Sequence, residues 1–158
     1  MKLFAFWVLL FCLAPNFSAN PAFAQENSLS PRDKLFIKYA ASVALLEIQL
    51  GQLAHDRGGM PAVKEFAERM VRENTRAKTE LETIAAKRNL KLPNEVERRH
   101  KSALARLSTL YGGDFDGEYL QATIKNSVAQ RAQLKKAIKS VQDQELKVWA
   151  IRMLPVVE

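Results

Sequence analysis

The chain has 158 residues, of which 24 are lysine or arginine and 17 are aspartate or glutamate, so its formal net charge is +7. This basic balance favours acidic partners such as an anionic envelope surface, although a basic surface that is simply solvated is an alternative. The single cysteine is Cys12. A chain processed beyond it has no thiol for catalysis, for a disulfide or for a cysteine-based metal site.

The first 24 residues are typical of a secretory signal peptide. Lys2 supplies a short positive region, Leu3–Ala14 is an uncharged apolar run, and Ala22-Phe23-Ala24 gives a small-x-small cleavage pattern. The apolar run has about a dozen residues, whereas a membrane-spanning helix needs about 20. We therefore predict cleavage after residue 24, with Gln25 as the first residue of the mature protein.

Export also limits the kinds of partner and anchor. Phe11 stands where a lipoprotein processing site before Cys12 would need a small residue, and no later segment is both long and uncharged. A periplasmic or secreted location argues against nucleic acid as the usual partner. Removal of the first 24 of the 158 residues leaves 134, enough for one domain. We expect residues 25–30 to form a flexible tail and residues 31–158 a single helical-bundle domain.

The first predicted helix begins at Pro31 and ends near Arg57. Ser30 is a suitable N-cap, proline is favoured at the first helical position, and Asp33 places an acid in the first turn. Apolar residues then recur at spacings of three and four. Gly58-Gly59 ends the helix.

The second helix is predicted to run from Pro61 to about Arg88. Its apolar residues keep the same helical spacing. Asn89 can take the left-handed conformation that closes many helices, with Leu90 folding back on the last turn. Lys91–Pro93 then makes a short connection to the next element.

Two further helices are predicted from capping signals. Asn94 caps the third, with Glu97 in the capping-box position, and Gly112-Gly113 ends it. Asp114 is expected to cap the fourth. The residues expected on the inward side of the fourth helix are Phe115, Tyr119, Leu120, Ile124, Val128, Leu134, Ile138 and Val141.

A short fifth helix is predicted to begin after Asp143 and to be kinked or ended by Pro155. Apolar surface left uncovered around Trp149 and Met153 would suit a homodimer contact. Because no stretch alternates with a period of two, we predict no sheet. The fold class is therefore all-α, an antiparallel up-down four-helix bundle with a short fifth helix at the C-terminus.

Glu47 is the clearest polar residue on an apolar stripe, four residues after Val43. A buried carboxylate is costly unless it is paired or binds a metal. Alternatively, Glu47 lies at the edge of the stripe and reaches water. We expect a core polar cluster of Glu47, Asn74, Ser127 and Arg131, in which Asn74 or Arg131 neutralises the carboxylate.

Metal binding is the other chemistry open to the carboxylates. Glu97 and His100 form an E-x-x-H pair, a spacing that di-iron bundles use twice, whereas it occurs once here. With Glu47 and Glu73 they are the candidate ligands. Glu97 is already explained by capping, however, and we expect no cofactor. The two histidines lie in different helices without a nucleophile elbow, so an enzyme is the less favoured class.

Several motifs resemble those of one known family when they are taken in order. They are Glu47–Ala54, Val63–Ala67 with Met70-Val71, Leu92-Pro93, Phe115-Asp116 with Tyr119-Leu120, Glu145–Lys147 and Leu154-Pro155. Together they are similar to the exported bacterial domain-of-unknown-function family 4142, over about residues 31–155. The resemblance implies a ferritin-like helical bundle in the periplasm or at the outer membrane, with no settled activity.

This sequence lacks the inward histidines that the resemblance implies. It has Glu73-Asn74 in place of an acid–histidine pair, Ser127 in place of a mid-helix histidine, and it ends at Glu158 before another. We therefore predict a non-enzymatic binding or structural protein, with envelope stress as its setting and with a lost metal site. A carboxylate-rich metal-binding or oxidoreductase bundle that uses Glu47 is the alternative.

Overall fold

The computed structural model describes residues 28–158, which contain five α-helices and no β-strand. The helices are α1 (Pro31–Arg57), α2 (Pro61–Ala86), α3 (Arg98–Leu107), α4 (Gly112–Ser140) and α5 (Gln144–Val157). The all-α prediction is confirmed for this range, although α2 stops two residues before Arg88. The predicted signal peptide lies outside the described residues. Among the helices described, none is both long and apolar enough to cross a membrane.

Three helix ends follow from local interactions that the sequence predicted. At the start of α1, Ser30 Oγ accepts a hydrogen bond from the Asp33 amide at 3.1 Å. At the start of α5, a carboxylate oxygen of Asp143 accepts from the Leu146 amide at 2.9 Å. After α2, Asn89 has a left-handed backbone with φ 51°, which closes the helix as expected.

Two predicted caps are wrong. α3 begins at Arg98 with Glu97 as its N-cap and no side-chain hydrogen bond there, so Asn94 does not start it. α4 begins at Gly112, which places Asp114 inside the first turn rather than at the cap. The physical reason is the positive φ of Gly112, 58°, which lets the chain turn directly into α4.

Glycine also allows two close backbone approaches. A Cβ on Gly51 would lie 2.6 Å from Val71 Cγ2 and 3.0 Å from the Ala67 carbonyl oxygen, so the lack of a side chain at Gly51 lets α1 pass close to α2 there. A Cβ on Gly59 would lie 2.9 Å from Gly112 Cα. The α1–α2 loop therefore packs directly on the start of α4.

The apolar core is divided into two clusters. The first contains Leu29, Phe36, Ile37, Ala40, Ala41, Ala77, Leu81, Ile84, Ala85, Leu134, Ala137, Val141, Leu146, Trp149 and Ala150. The second contains Leu46, Leu50, Ala54, Val63, Ala67, Val96, Leu107, Phe115 and Tyr119. The first half of α1 thus shares a cluster with the ends of α2 and α4, and the second half with their beginnings. Since Leu29 is buried, the end of the predicted tail belongs to the core.

The last helix differs from its prediction at two points. α5 continues for two residues past Pro155, so the proline does not end it. Trp149 is only 5 % exposed and packs edge-on against Phe36, with ring centroids 6.2 Å apart. The expectation of uncovered surface at Trp149 is therefore wrong. The exposed apolar residues in the middle of α5 are Val148 and Ile151.

Candidate functional site

Polar side chains separate the two apolar clusters. Asn74 on α2 and Thr123, Asn126 and Gln130 on α4 lie between the positions of the two clusters. On α1, Glu47 follows Leu46, the first α1 residue of the second cluster. We call these five residues the polar layer. Glu47 is 1 % exposed, Thr123 and Asn74 are also buried, and the two remaining amides are half-buried. Because an ionised carboxylate is costly to bury, its partners decide the chemistry of the layer.

Two amides from α4 approach the same oxygen of Glu47. Asn126 Nδ2 donates to Glu47 Oε1 at 2.9 Å, and Gln130 Nε2 reaches the same atom at 3.5 Å. The other oxygen, Oε2, is buried and has no hydrogen-bond partner among the described residues. The carboxyl is therefore held by neutral donors on one side only.

This environment favours the protonated form of Glu47. Burial raises the pKa of Glu47 from an ordinary value of 4.5 to about 7, and the hydrogen bond from Asn126 lowers it by a smaller amount. The direction is that expected for a desolvated carboxyl without a cationic partner. Near neutral pH the side chain therefore exchanges between a neutral and a charged form.

Tyr119 carries a buried hydroxyl whose pKa is affected by the charge of Glu47. It stacks on Phe115 with ring centroids 5.8 Å apart. Burial and then the charge of Glu47 raise the pKa of Tyr119 to about 12, and Thr123 lowers it by less. The Thr123 hydroxyl donates instead to the Tyr119 backbone carbonyl, and the phenol oxygen has no partner of ordinary geometry among the described residues.

The expected partners of Glu47 need correction. Asn74 Nδ2 donates to the Met70 carbonyl oxygen at 2.9 Å, as a side chain bonding to its own helix. Arg131 is exposed and Ser127 is half-buried. Neither Asn74 nor Arg131 neutralises Glu47. Its hydrogen bonds come instead from Asn126 and Gln130, which immediately precede Ser127 and Arg131 on α4.

The partners of Glu47 were predicted wrongly because the predicted inward face of α4 was rotated by one residue from the observed face. The inward positions of α4 follow a regular spacing of three and four: Phe115, Tyr119, Thr123, Asn126, Gln130, Leu134, Ala137 and Val141. The sequence-based stripe instead followed Ile124 and Val128, which are 65 % and 56 % exposed. One residue rotates a helix by about 100°, so that choice also turned Ser127 and Arg131 inward. The unbroken spacing through three polar residues was the signal available.

The candidate metal ligands lie apart. Glu97 pairs with Arg99 at 2.8 Å, and Glu73 is exposed on α2. Burial and then the charge of Arg99 lower the pKa of half-buried His100. Within residues 28–158, no three side chains of histidine, cysteine, aspartate or glutamate come together as a metal site would require, so Glu47 is not joined by the other candidates.

A groove between α2 and α4 opens beside the polar layer. It has a volume of about 550 Å³, and Asn74, Thr123 and Gln130 reach it from the layer. We call it the α2–α4 groove. Its apolar walls are formed by Phe66, Met70, Ile124, Val128, Met153 and Val156. The charged residues Arg69, Glu73, Arg131 and Glu158 also line it.

Two buried aspartates support this arrangement, although the sequence indicated only a first-turn acid at Asp33 and a family motif at Asp116. Asp116, on α4, accepts hydrogen bonds from the Gly59 and Met60 amides at 2.9–3.2 Å and so holds the start of α2. Asp33 accepts from the Gln142 and Asp143 amides at 3.2 and 3.1 Å. These bonds join positions far apart in the chain, and no local pattern marks them.

A family model of a domain of unknown function, DUF4142, matches residues 18–158. The chain belongs to this family. Its DUF4142 fold is similar to the crystal structure of a DUF305 fragment from Deinococcus radiodurans, with a TM-score of 0.74 and 13 % sequence identity. That likeness covers 82 % of this chain and 90 % of the other and shows the fold alone. No curated protein matches the DUF4142 chain.

Proposed function

We propose that this DUF4142 protein is an exported, non-enzymatic binding protein of the periplasm, built on an antiparallel ferritin-like bundle, which holds a ligand in the α2–α4 groove. The leader pattern of residues 1–24 supports export. The sharing of clusters between opposite ends of α1 and α2 supports the antiparallel arrangement. An envelope-stress setting is part of the proposal.

The exposure of apolar walls beside a polar floor is the observation that carries this function. Ile124, Val128 and Val156 are all more than half exposed, although they lie in a concavity where burial would be favourable. Concave apolar surfaces with a few convergent polar groups are typical ligand sites. The ligand would place an apolar portion against these walls and a polar group near the amide of Gln130.

The polar lining of the groove combines neutral amides and hydroxyls with the charged residues Arg69, Glu73, Arg131 and Glu158. It favours binding over catalysis because the described lining contains no histidine that could serve as a general base. The Thr123 hydroxyl is already engaged with a backbone carbonyl. Neither histidine lines the groove: His55 lies near the end of α1, where it contacts Glu68, and His100 lies on α3. A serine or threonine nucleophile there would therefore have no histidine to act as its base.

We expect Ile124→Asp to weaken the binding of Nile red, an uncharged apolar dye, by about tenfold. A charged carboxylate in the apolar wall must be desolvated when the dye binds, and about 1.4 kcal/mol suffices for that factor. Dye fluorescence titrations measure the change. Ile151→Asp is the matched control, because Ile151 is 52 % exposed on α5 but lies outside the groove. Equal loss in both variants, or in neither, contradicts the proposed site.

Export has a separate test. In a Gram-negative host, the full chain with a C-terminal tag is expected in the periplasmic fraction. Its intact mass should correspond to a chain that begins at Gln25. Replacing Ala24 with arginine is expected to block cleavage, because signal peptidase sites need small residues. A cytoplasmic, uncleaved product from the natural sequence would overturn the export part of the proposal while leaving the groove untouched.

A further inference from the structure

Leu35, on the first turns of α1, has the most exposed large apolar side chain in the described part of the chain, at 72 %. It forms the ridge between two grooves. One, of about 520 Å³, separates α1 from α4, and the other, of about 600 Å³, separates α1 from residues 91–97. Leu35 lines both. An isolated exposed leucine is unremarkable, so its surroundings decide its meaning.

Five cations surround this leucine. They are Arg32, Arg99 and Lys136 in the first groove and Lys38 and Lys91 in the second. Together with Leu35, we call them the basic face. Within residues 28–158, Arg99 is the member with a carboxylate within 4 Å, through Glu97. Among the residues that the structure describes, Glu97 is also the one acidic residue that lines either groove.

Helix dipoles do not account for the placement of these charges. Lys136 lies near the C-terminus of α4, where a cation is favourable. Arg32, by contrast, lies in the first turn of α1, where the helix dipole disfavours a cation. The neighbouring Asp33 is buried, and its two carboxylate oxygens accept hydrogen bonds from the backbone after α4. Within residues 28–158, the positive charge of Arg32 therefore has no carboxylate partner within 4 Å.

We propose that the basic face binds the phosphate headgroups of an anionic lipid surface, with Leu35 inserted between the lipids. An apolar side chain ringed by lysine and arginine suits the membrane interface, where burial of the apolar group and attraction to anionic lipids add. Arg99 and Tyr39 line the first groove together with Leu35. The proposal does not depend on the α2–α4 groove, which α1 does not line.

Co-sedimentation of the purified protein with lipid vesicles tests this assignment. We expect binding to vesicles that contain phosphatidylglycerol and little binding to pure phosphatidylcholine. The double substitution Arg32→Glu with Lys136→Glu is expected to lower the partition coefficient at least about tenfold, since each cation near an anionic surface contributes severalfold. Leu35→Asp is expected to weaken binding similarly. High salt should weaken binding by the natural protein, because charge attraction is screened.

Controls separate this face from general surface charge. Arg72→Glu with Arg76→Glu makes the same charge change on α2, which lines neither groove, and should alter partitioning by less than about twofold. If the double variant fails to fold by circular dichroism, Lys38→Glu with Lys91→Glu gives the same test from the second groove. Equal binding to neutral and anionic vesicles would overturn the proposal, and so would binding that does not change with charge reversal or with salt. Release of the protein by free inorganic phosphate, without any effect of lowering the anionic lipid content, would also overturn it.

Discussion

Glu47→Gln is expected to stabilise the protein at about pH 8 and to flatten the pH dependence of its unfolding free energy. Glutamine preserves the shape of the side chain and its contact with Asn126, but it cannot ionise. In the natural protein the pKa of Glu47 is about 7 when folded, against an ordinary value of 4.5. The folded state therefore binds the proton more tightly than the unfolded state.

The sign of the pH dependence follows from that difference. The contribution of protonated Glu47 to stability is fully present below about pH 4.5 and is lost as the pH rises through about 7. The difference between the two pKa values corresponds to about 3 kcal/mol. Glu47→Gln should remove this loss, so its advantage appears at high pH and vanishes at low pH.

Urea unfolding, followed by tryptophan fluorescence from about pH 5 to about pH 8, measures this effect. Glu73→Gln is the matched control, because it makes the same chemical change at an exposed carboxyl on α2. We expect the control to retain the pH slope of the natural protein. Parallel slopes in the natural protein and in Glu47→Gln would show that Glu47 does not titrate in this range.

Asp116→Ala is expected to destabilise the protein by about 3 kcal/mol. The carboxylate of Asp116 is 1 % exposed and is the hydrogen-bond acceptor for the Gly59 and Met60 amides. Met60 is the N-cap of α2 and provides no side-chain cap of its own. Loss of charge-assisted hydrogen bonds would leave these amides unsatisfied and remove the anion from the start of the helix.

The matched control is Asp114→Ala, two residues away. Asp114 is exposed in the first turn of α4 and should cost less than about 1 kcal/mol when removed. Urea unfolding gives both values. Hydrogen exchange at the Gly59 and Met60 amides is expected to accelerate in the Asp116 variant but not in the control. Equal destabilisation by the two substitutions would contradict the capping role of Asp116.

The polar layer places one buried carboxyl among neutral hydrogen-bond donors, between two apolar clusters. Asn126 and Gln130 compensate Glu47 only in part, since its second oxygen has no partner within the described residues. A fully apolar section would avoid this cost. The amide of Gln130 also reaches the α2–α4 groove, which connects the buried carboxyl to the proposed ligand site through one side chain.

Local chemistry explains the parts of the fold that could be predicted. The caps at Ser30 and Asp143 and the left-handed Asn89 depend on hydrogen bonds and backbone preferences within a few residues. Such interactions are fully encoded by neighbouring positions. For the same reason the all-α class and the approximate ends of α1 and α2 followed from spacing, glycine and proline. The predicted end of α3 at Gly112-Gly113 is wrong, because α3 ends at Leu107 and Gly112 begins α4.

The sequence by itself therefore determined the helices, the family resemblance and the unusual position of Glu47 on an apolar stripe. Only the tertiary structure decided that Asn126 and Gln130 face this carboxyl, that Ile124 and Val128 are left in an open groove, and that Asp116 holds α2 from 57 residues away. The physical reason is that helical periodicity predicts the inward face of a helix only to within about one residue, which is a rotation of about 100°. The packing of α4 against α1 selects the face, because it is settled by contacts between distant segments.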